Sequence, residues 1–164
     1  MPKSRTPDFD AVDLTLPLGS FSSYDMACIY PALIKSNKDD VYLEVGVDKG
    51  KSLAFARKYF KGDVFGIDRE ADPLVKGTNF IRKESNEAVK DWTLPIKVLF
   101  IDGDHTVEGV KDDWDNFSPF VVKGGWVFFH DADYGGVLEF TKKLPKVKWY
   151  KKPGLNTGMA SVRL

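Results

Sequence analysis

The sequence predicts an α/β protein built on a doubly wound, mostly parallel seven-stranded sheet with an antiparallel last strand. Three observations predict it. Short apolar runs alternate along the chain with stretches whose apolar residues recur every three or four positions, the order expected of strand–helix units. The early runs lack the apolar/polar alternation of a half-buried strand, as strands covered on both faces should. The two closing runs, at 147–150 and 159–162, are joined by a segment too short for a crossover helix, so they should pair antiparallel.

The elements follow in order. Residues 1–19 carry Pro2, Pro7 and Pro17 among polar residues and read as a loosely packed lead-in. Over 22–36 the apolar residues Met26, Ala27, Ile29, Tyr30, Leu33 and Ile34 form a helical stripe, with Pro31 either kinking it or starting a second helix. A β-prone run at 41–45 precedes a helix over 52–60, in which Leu53, Ala56 and Phe60 share a face. The run at 63–67 is closed by Asp68, and a weaker one at 79–81 leads into a helix over 85–92. The strongest strand candidate is 96–101, followed by a helix marked by Val107, Val110, Trp114 and Phe117. A fully apolar strand at 126–129 and a helix over 137–144 lead to the closing strands. All of this fits one domain spanning 1–164.

Composition excludes several function classes. The 164 residues (18.5 kDa) are 43 % hydrophobic and 29 % charged, ordinary values for a globular chain. Lys plus Arg (24) balances Asp plus Glu (24), which argues against a nucleic-acid partner and against a polybasic membrane anchor. The single cysteine, Cys28, allows no internal disulfide. No apolar run approaches the ~18 residues of a membrane span, and the polar N-terminus is not a signal peptide. The expectation is a soluble, cytoplasmic protein.

In a sheet of this kind ligands bind beyond the carboxyl ends of the strands, so the strand-to-helix turns are where chemistry belongs. The first turn runs Glu44, Val45, Gly46, Val47, Asp48, Lys49, Gly50, Lys51, Ser52. Gly46 and Gly50 let backbone approach a ligand, while Glu44 and Asp48 place negative charge where a dinucleotide would put its pyrophosphate. The spacing is neither G-x-G-x-x-G nor a P-loop. The turn suits a ligand with a cationic amino group and an uncharged ribose, whose hydroxyls Asp68 would bind at the end of the second strand. The plain alternative is a tight turn with Glu44 as a solvated acid.

Two later strand ends carry more ionisable groups. Phe100-Ile101 is followed by Asp102, Gly103, Asp104 and His105, and Gly124-Gly125-Trp126 leads to His130 and Asp131. Asp102, His130 and Asp131 are placed to converge as a hard-cation site. His105, with an ordinary pKa of about 6.5, is the natural general base, and Asp104 lies within reach. Against this stand a helix N-cap for the aspartates and a core position for His130.

Together these motifs over residues 41–132 resemble the class I S-adenosylmethionine-dependent methyltransferases, more narrowly the small macrocin-type sugar and catechol-type O-methyltransferases. The resemblance implies a Rossmann-like methyltransferase fold and S-adenosyl-L-methionine as cofactor. It implies that Glu44, Gly46, Gly50 and Ser52 hold the methionine half, Asp68 the ribose and Glu84-Ser85 the adenine, with Asp102 at the reacting end. It implies a magnesium ion on Asp102, His130 and Asp131, although metal-dependent relatives carry Asp-Asn where this chain has His130-Asp131, and imidazole is the poorer magnesium ligand. Where catechol-type enzymes have a lysine this chain has His105, which leaves the base open between His105 and Asp104. The expected reaction is O-methylation of a small hydroxylated acceptor, assisted or not by a divalent metal. Two other readings account for part of the pattern: a metal-dependent glycosyltransferase or hydrolase using Asp102 and Asp104, and a non-catalytic cofactor-binding module that forms a homo-oligomer. Phe9, Phe21, Tyr24, Tyr134 and Trp149 are candidates for an acceptor pocket, an interface or plain core.

Overall fold

A computed structural model of the chain describes residues 6–71, 73, 75–150 and 158–164. Its strands are β1 (Val41–Val45), β2 (Asp63–Asp68), β3 (Asn79–Arg82), β4 (Ile96–Ile101), β5 (Val121–Phe129), β6 (Lys148–Tyr150) and β7 (Met159–Arg163). They form one seven-stranded sheet in the order β3-β2-β1-β4-β5-β7-β6. Strands β1 to β5 run parallel, and β7 pairs antiparallel with both β5 and β6. The segment joining β6 to β7, 151–157, lies outside the described residues, as do the first five residues of the lead-in.

The helices are α1 (Phe9–Asp13), α2 (Ser23–Leu33), α3 (Lys51–Tyr59), α4 (Ser85–Ala88), α5 (Val107–Phe117) and α6 (Gly135–Thr141). Strand alternation sorts two cores. Leu43, Val45, Leu99 and Ile101 face Val110, Phe117, Val137 and Phe140 of α5 and α6. Tyr42, Val98 and Phe100 face Met26, Ile29, Leu33, Leu53 and Phe55 of α2 and α3. Helices therefore cover both faces, which is why the central strands read as unbroken apolar runs. No helix among the described residues is long and apolar enough to cross a membrane.

The structure departs from the sequence reading at four places. The lead-in contains α1, capped by Asp8 at the N–H groups of Asp10 and Ala11, and its Phe9 ring packs on Tyr30 and Phe55 at centroid distances of 5.3 and 6.1 Å. Helix α2 runs through Pro31 without a second start; the proline sits in the last turn, where the hydrogen bond it lacks is outweighed by burial of Ile29 and Leu33. The helix expected over 85–92 is one α turn followed by a 3₁₀ turn, Val89–Asp91. Strand β5 starts five residues earlier than the apolar run, at Val121. Its pairing with β4 shifts register between Ile96 and Val98, and Gly124 (φ 76°) with Gly125 accommodates the irregularity.

Candidate active site

A cleft of about 800 Å³ opens along the carboxyl ends of β1, β2 and β4. Val45 and Ile67 form its apolar floor, and Gly46, Asp68, Glu84, Ser85, Asp102, Asp104 and His105 lie on its walls. Of the residues expected to hold a cofactor, Glu44, Gly50 and Ser52 stand behind this surface rather than on it. The reason is strand alternation: Glu44 shares the β1 face of Tyr42, under α3. There its carboxylate is fully buried and accepts from the Tyr42 hydroxyl at 2.8 Å and the Ser52 hydroxyl at 2.6 Å. Burial pushes its pKa up to about 8, against the pull of those two hydroxyls.

The glycines of the first turn answer to protein packing. Gly46 has φ 86°, and a Cβ there would lie 2.3 Å from the Asp102 carbonyl oxygen. Gly50 has φ 83°, and a Cβ would meet Pro73 at 2.7 Å. Both positions need a residue without a side chain. Asp68 then ties the turn down. One carboxylate oxygen accepts from Val47 N–H (2.8 Å) and Asp48 N–H (3.1 Å), the other from Glu70 N–H (2.9 Å) and Ala71 N–H (3.0 Å). Burial would raise its pKa, but the four N–H donors outweigh this and hold it below the usual value.

The ends of β4 and β5 meet at the other wall. His105 Nε2 lies 3.4 Å from Asp102 Oδ1 and 3.6 Å from Asp131 Oδ2. Its hydrogen bond to Asp102 raises its pKa, partly offset by burial. Asp131 adopts a left-handed backbone (φ 51°), a conformation aspartate tolerates better than most residues. His130 is 3 % exposed. Its Nδ1 faces Asp102 Oδ1 at 3.2 Å and Asp131 Oδ2 at 3.3 Å, and its Nε2 faces Asp25 Oδ2 at 3.4 Å. With carboxylates at both nitrogens the ring is an imidazolium: burial opposes the charge, yet the three acids push the pKa up to about 12. The donor set the structure brings together is Asp102, His105 and Asp131, with one ligand atom from each lying within 4.8 Å of the others. The expected group of Asp102, His130 and Asp131 also converges, with His130 Nδ1 within 3.3 Å of both carboxylates. Asp104 turns away from this group and caps the next loop through Thr106 N–H at 2.8 Å.

The far end of the cleft is formed by the turn into α4 and by α5. Glu84 pairs with Arg69 at 3.2 Å, and Ser85 bonds the buried carboxyl of Asp113, whose pKa burial raises to about 6.

Comparison with known proteins decides the class. Residues 43–132 match the family described as a methyltransferase domain. The chain belongs to that family. A curated relative, an uncharacterized protein of Acanthamoeba polyphaga mimivirus, is 33 % identical over 120 residues, or 59 % of this chain and 54 % of the relative. The chain thus spans about half the length of that relative. A SAM-dependent O-methyltransferase from Thermotoga maritima superposes with a TM-score of 0.69 at 14 % identity, covering 96 % of this chain and 71 % of the other. The MycE methyltransferase of the mycinamycin biosynthetic pathway, solved with Mg and SAH, gives 0.69 at 18 % identity, with 96 % and 55 % covered. An rRNA methylase from Streptococcus thermophilus gives 0.67 at 13 % identity, with 85 % and 94 % covered. At these identities the likeness to solved structures is one of fold.

Two acids beside this candidate site were missed in the sequence. Asp25 comes from α2, far from the motifs. Its carboxylate accepts from Ser22 N–H and Ser22 Oγ, both at 2.7 Å, closing a capping box, and the Ser22-x-x-Asp25 spacing was a usable signal. Asp113 interrupts the apolar stripe of Val110, Trp114 and Phe117, and an acid on the buried face of a helix is itself a signal. The aromatics divide. Phe21 packs on Phe100 and His130 at 5.8 and 6.2 Å, Phe9 and Tyr24 pack against the α2–α3 core, and Tyr134 and Trp149 remain exposed.

Proposed function

We propose that this chain binds S-adenosylmethionine in the cleft and methylates a hydroxyl of a small acceptor, with His105 as general base. The observation that carries this reading is the charge of the cleft: eight acids line it against Arg69, Lys83 and His105. Such a surface favours a cationic sulfonium with its amino group and repels phosphates, which argues against nucleotide substrates and against an RNA backbone as acceptor. Gly46 and Asp102 would border the methionine end. Asp68 would present the ribose edge and keep the turn in place, while Ser85 and Glu84 would flank the base. Glu44 and Ser52 support the turn from behind.

The cofactor supplies an electrophilic methyl group on sulfur. The protein aligns the acceptor with it, the larger part of the rate enhancement, and removes one proton. With the cofactor bound, His105 Nε2 would take the hydroxyl proton of the acceptor, whose oxygen would gain the methyl group as the sulfur leaves as a thioether. Asp102 and Asp131 stabilise the imidazolium that forms. A magnesium ion does not fit this geometry well. The two carboxylates that would ligate it already neutralise the His130 imidazolium, and a dication would sit beside that cation. The reading needs no metal, and a chelator should leave turnover within about twofold. The glycosyltransferase or hydrolase reading loses its acid pair, because Asp104 is committed to Thr106.

Calorimetric titration with S-adenosylhomocysteine, with and without magnesium, tests the proposal. It expects one site per chain, with affinity unaffected by the ion. Absence of binding, together with binding of a nucleotide sugar, would overturn it.

A further inference from the structure

A second pocket, of about 390 Å³, lies outside the cofactor cleft, between α6 and the edge strand β6. Leu138 and Lys142, one turn apart on α6, form one wall, and Trp149 of β6 with Met159 of β7 forms the other. Asp133 and Gly158 stand at its mouth. That mouth adjoins the reacting wall of the cleft. Asp133 follows Asp131 by two residues, a span of at most about 7 Å, and Asp131 Oδ2 faces His105 Nε2 at 3.6 Å. Between them Ala132 donates its N–H to the Gly158 carbonyl at 2.9 Å.

Two groups in this pocket lack protein partners. The Trp149 side chain is on an edge strand, 36 % exposed, and among the described residues its ring packs on no other aromatic and its indole N–H meets no acceptor. The neighbouring Lys143 pairs with Glu139 at 3.3 Å, and Lys148 Nζ lies 4.5 Å from the centre of the Tyr150 ring. Lys142, by contrast, has no carboxylate partner among the described residues. A free aromatic face and a free ammonium on the walls of a mainly apolar pocket suit a flat ring that carries an anionic group. The charges also set its orientation. Lys142 lies seven residues past Gly135, about 10 Å along the helix axis, while Asp133 holds negative charge at the mouth. The anionic group belongs at Lys142, which turns the opposite end of the ligand toward His105. We propose that this pocket holds the body of the methyl acceptor, a hydroxylated aromatic acid whose ring stacks on Trp149 and whose carboxylate pairs with Lys142. This rests on the reading that the neighbouring cleft binds S-adenosylmethionine for methyl transfer.

The test is calorimetric titration of the full chain with 4′-hydroxybiphenyl-4-carboxylate, long enough to reach from the mouth to Lys142, and with the uncharged carboxamide of the same ring system. The wild type should bind the acid about fivefold more tightly than the amide, whether S-adenosylhomocysteine is present or absent. Lys142→Gln should bring the two ligands within about twofold, and Trp149→Ala should weaken both alike by about three- to tenfold. Equal binding of acid and amide by the wild type, or no binding of either, overturns the inference, and this arm decides whatever the variants do. A Lys142→Gln protein that is folded by circular dichroism and keeps the wild-type preference also overturns it. So does competition between the acid and S-adenosylhomocysteine, which would put the acid in the cofactor cleft. S-Adenosylhomocysteine titrated alone separates this inference from the reading beneath it. If the nucleoside binds and the acid does not, the acceptor pocket falls and the cofactor reading stands; if the nucleoside does not bind, both fall.

Discussion

His105 and Asp68 divide chemistry from architecture at the scale of single residues. His105 is half-exposed on the cleft wall and its backbone position is set by the loop, so His105→Ala should lower kcat by about 10²–10⁴-fold while moving cofactor affinity by less than about threefold. Single-turnover rates and titration on the same preparation check this, and a matching loss of both would make the residue structural. The Asp102 carboxylate is the main cause of the raised His105 pKa. A base must be neutral to act, so activity should rise as pH passes through that raised value. Asp102→Asn should move the acid limb of the kcat profile to lower pH, and an unmoved limb measured over about pH 5 to 9 would contradict the assignment. Asp68 does two jobs, because its carboxylate holds four backbone N–H groups. Asp68→Ala should weaken cofactor binding by about 1.5–3 kcal/mol and also lower Tm, and an unchanged Tm would show that the turn does not depend on it. The acids at the strand ends were legible in the sequence because each follows an apolar run. The direction of Glu44 was not, since a strand buried on both faces gives no alternation from which to read it.

Single elements carry the next level of argument, and α2 is the informative one. It caps itself with Asp25 and hands the same carboxylate to His130. Asp25→Ala removes a cap and strips a buried imidazolium of one partner. It should therefore cost about 3–5 kcal/mol in urea unfolding, far more than the ~1 kcal/mol of an ordinary cap. A loss no larger than a cap would mean that His130 relies on Asp102 and Asp131 alone. Elements with a single strong periodicity, such as β1, β4 and α5, were readable to the residue. Those decided by tertiary contacts were not. The first part of β5 carries two glycines and bulges against β4 between Val121 and Trp126, and α1 is short enough that its existence depends on Asp8 and on the packing of Phe9.

The whole molecule combines these groups into a pH dependence. Glu44, Asp113 and His130 have raised pKa values, to about 8, about 6 and about 12. A raised group stabilises the fold fully below its unfolded value, and that contribution is lost as pH rises through the folded value. Asp25, Asp68 and Asp131 are lowered, so their contribution is present above the ordinary carboxylate value and lost as pH falls. Stability should therefore peak in weakly acidic solution, and Tm should fall between about pH 6 and pH 9, where the folded state alone keeps the His130 proton. A flat or rising Tm over that range would mean that His130 is not held as a cation. The location of the ligand cleft was legible from sheet topology alone, whereas its depth on the α5 side was not, because Asp113 reaches it only once α5 has packed. The central claim is that this cleft receives a sulfonium nucleoside lying from His105 to Asp113. A crystal structure of the chain soaked with S-adenosylhomocysteine tests it most directly. The account predicts the sulfur beside Asp102 and His105, the ribose at Asp68 and the adenine beside Glu84 and Ser85; density for the nucleoside elsewhere, with this cleft filled by the protein's own side chains, would contradict it.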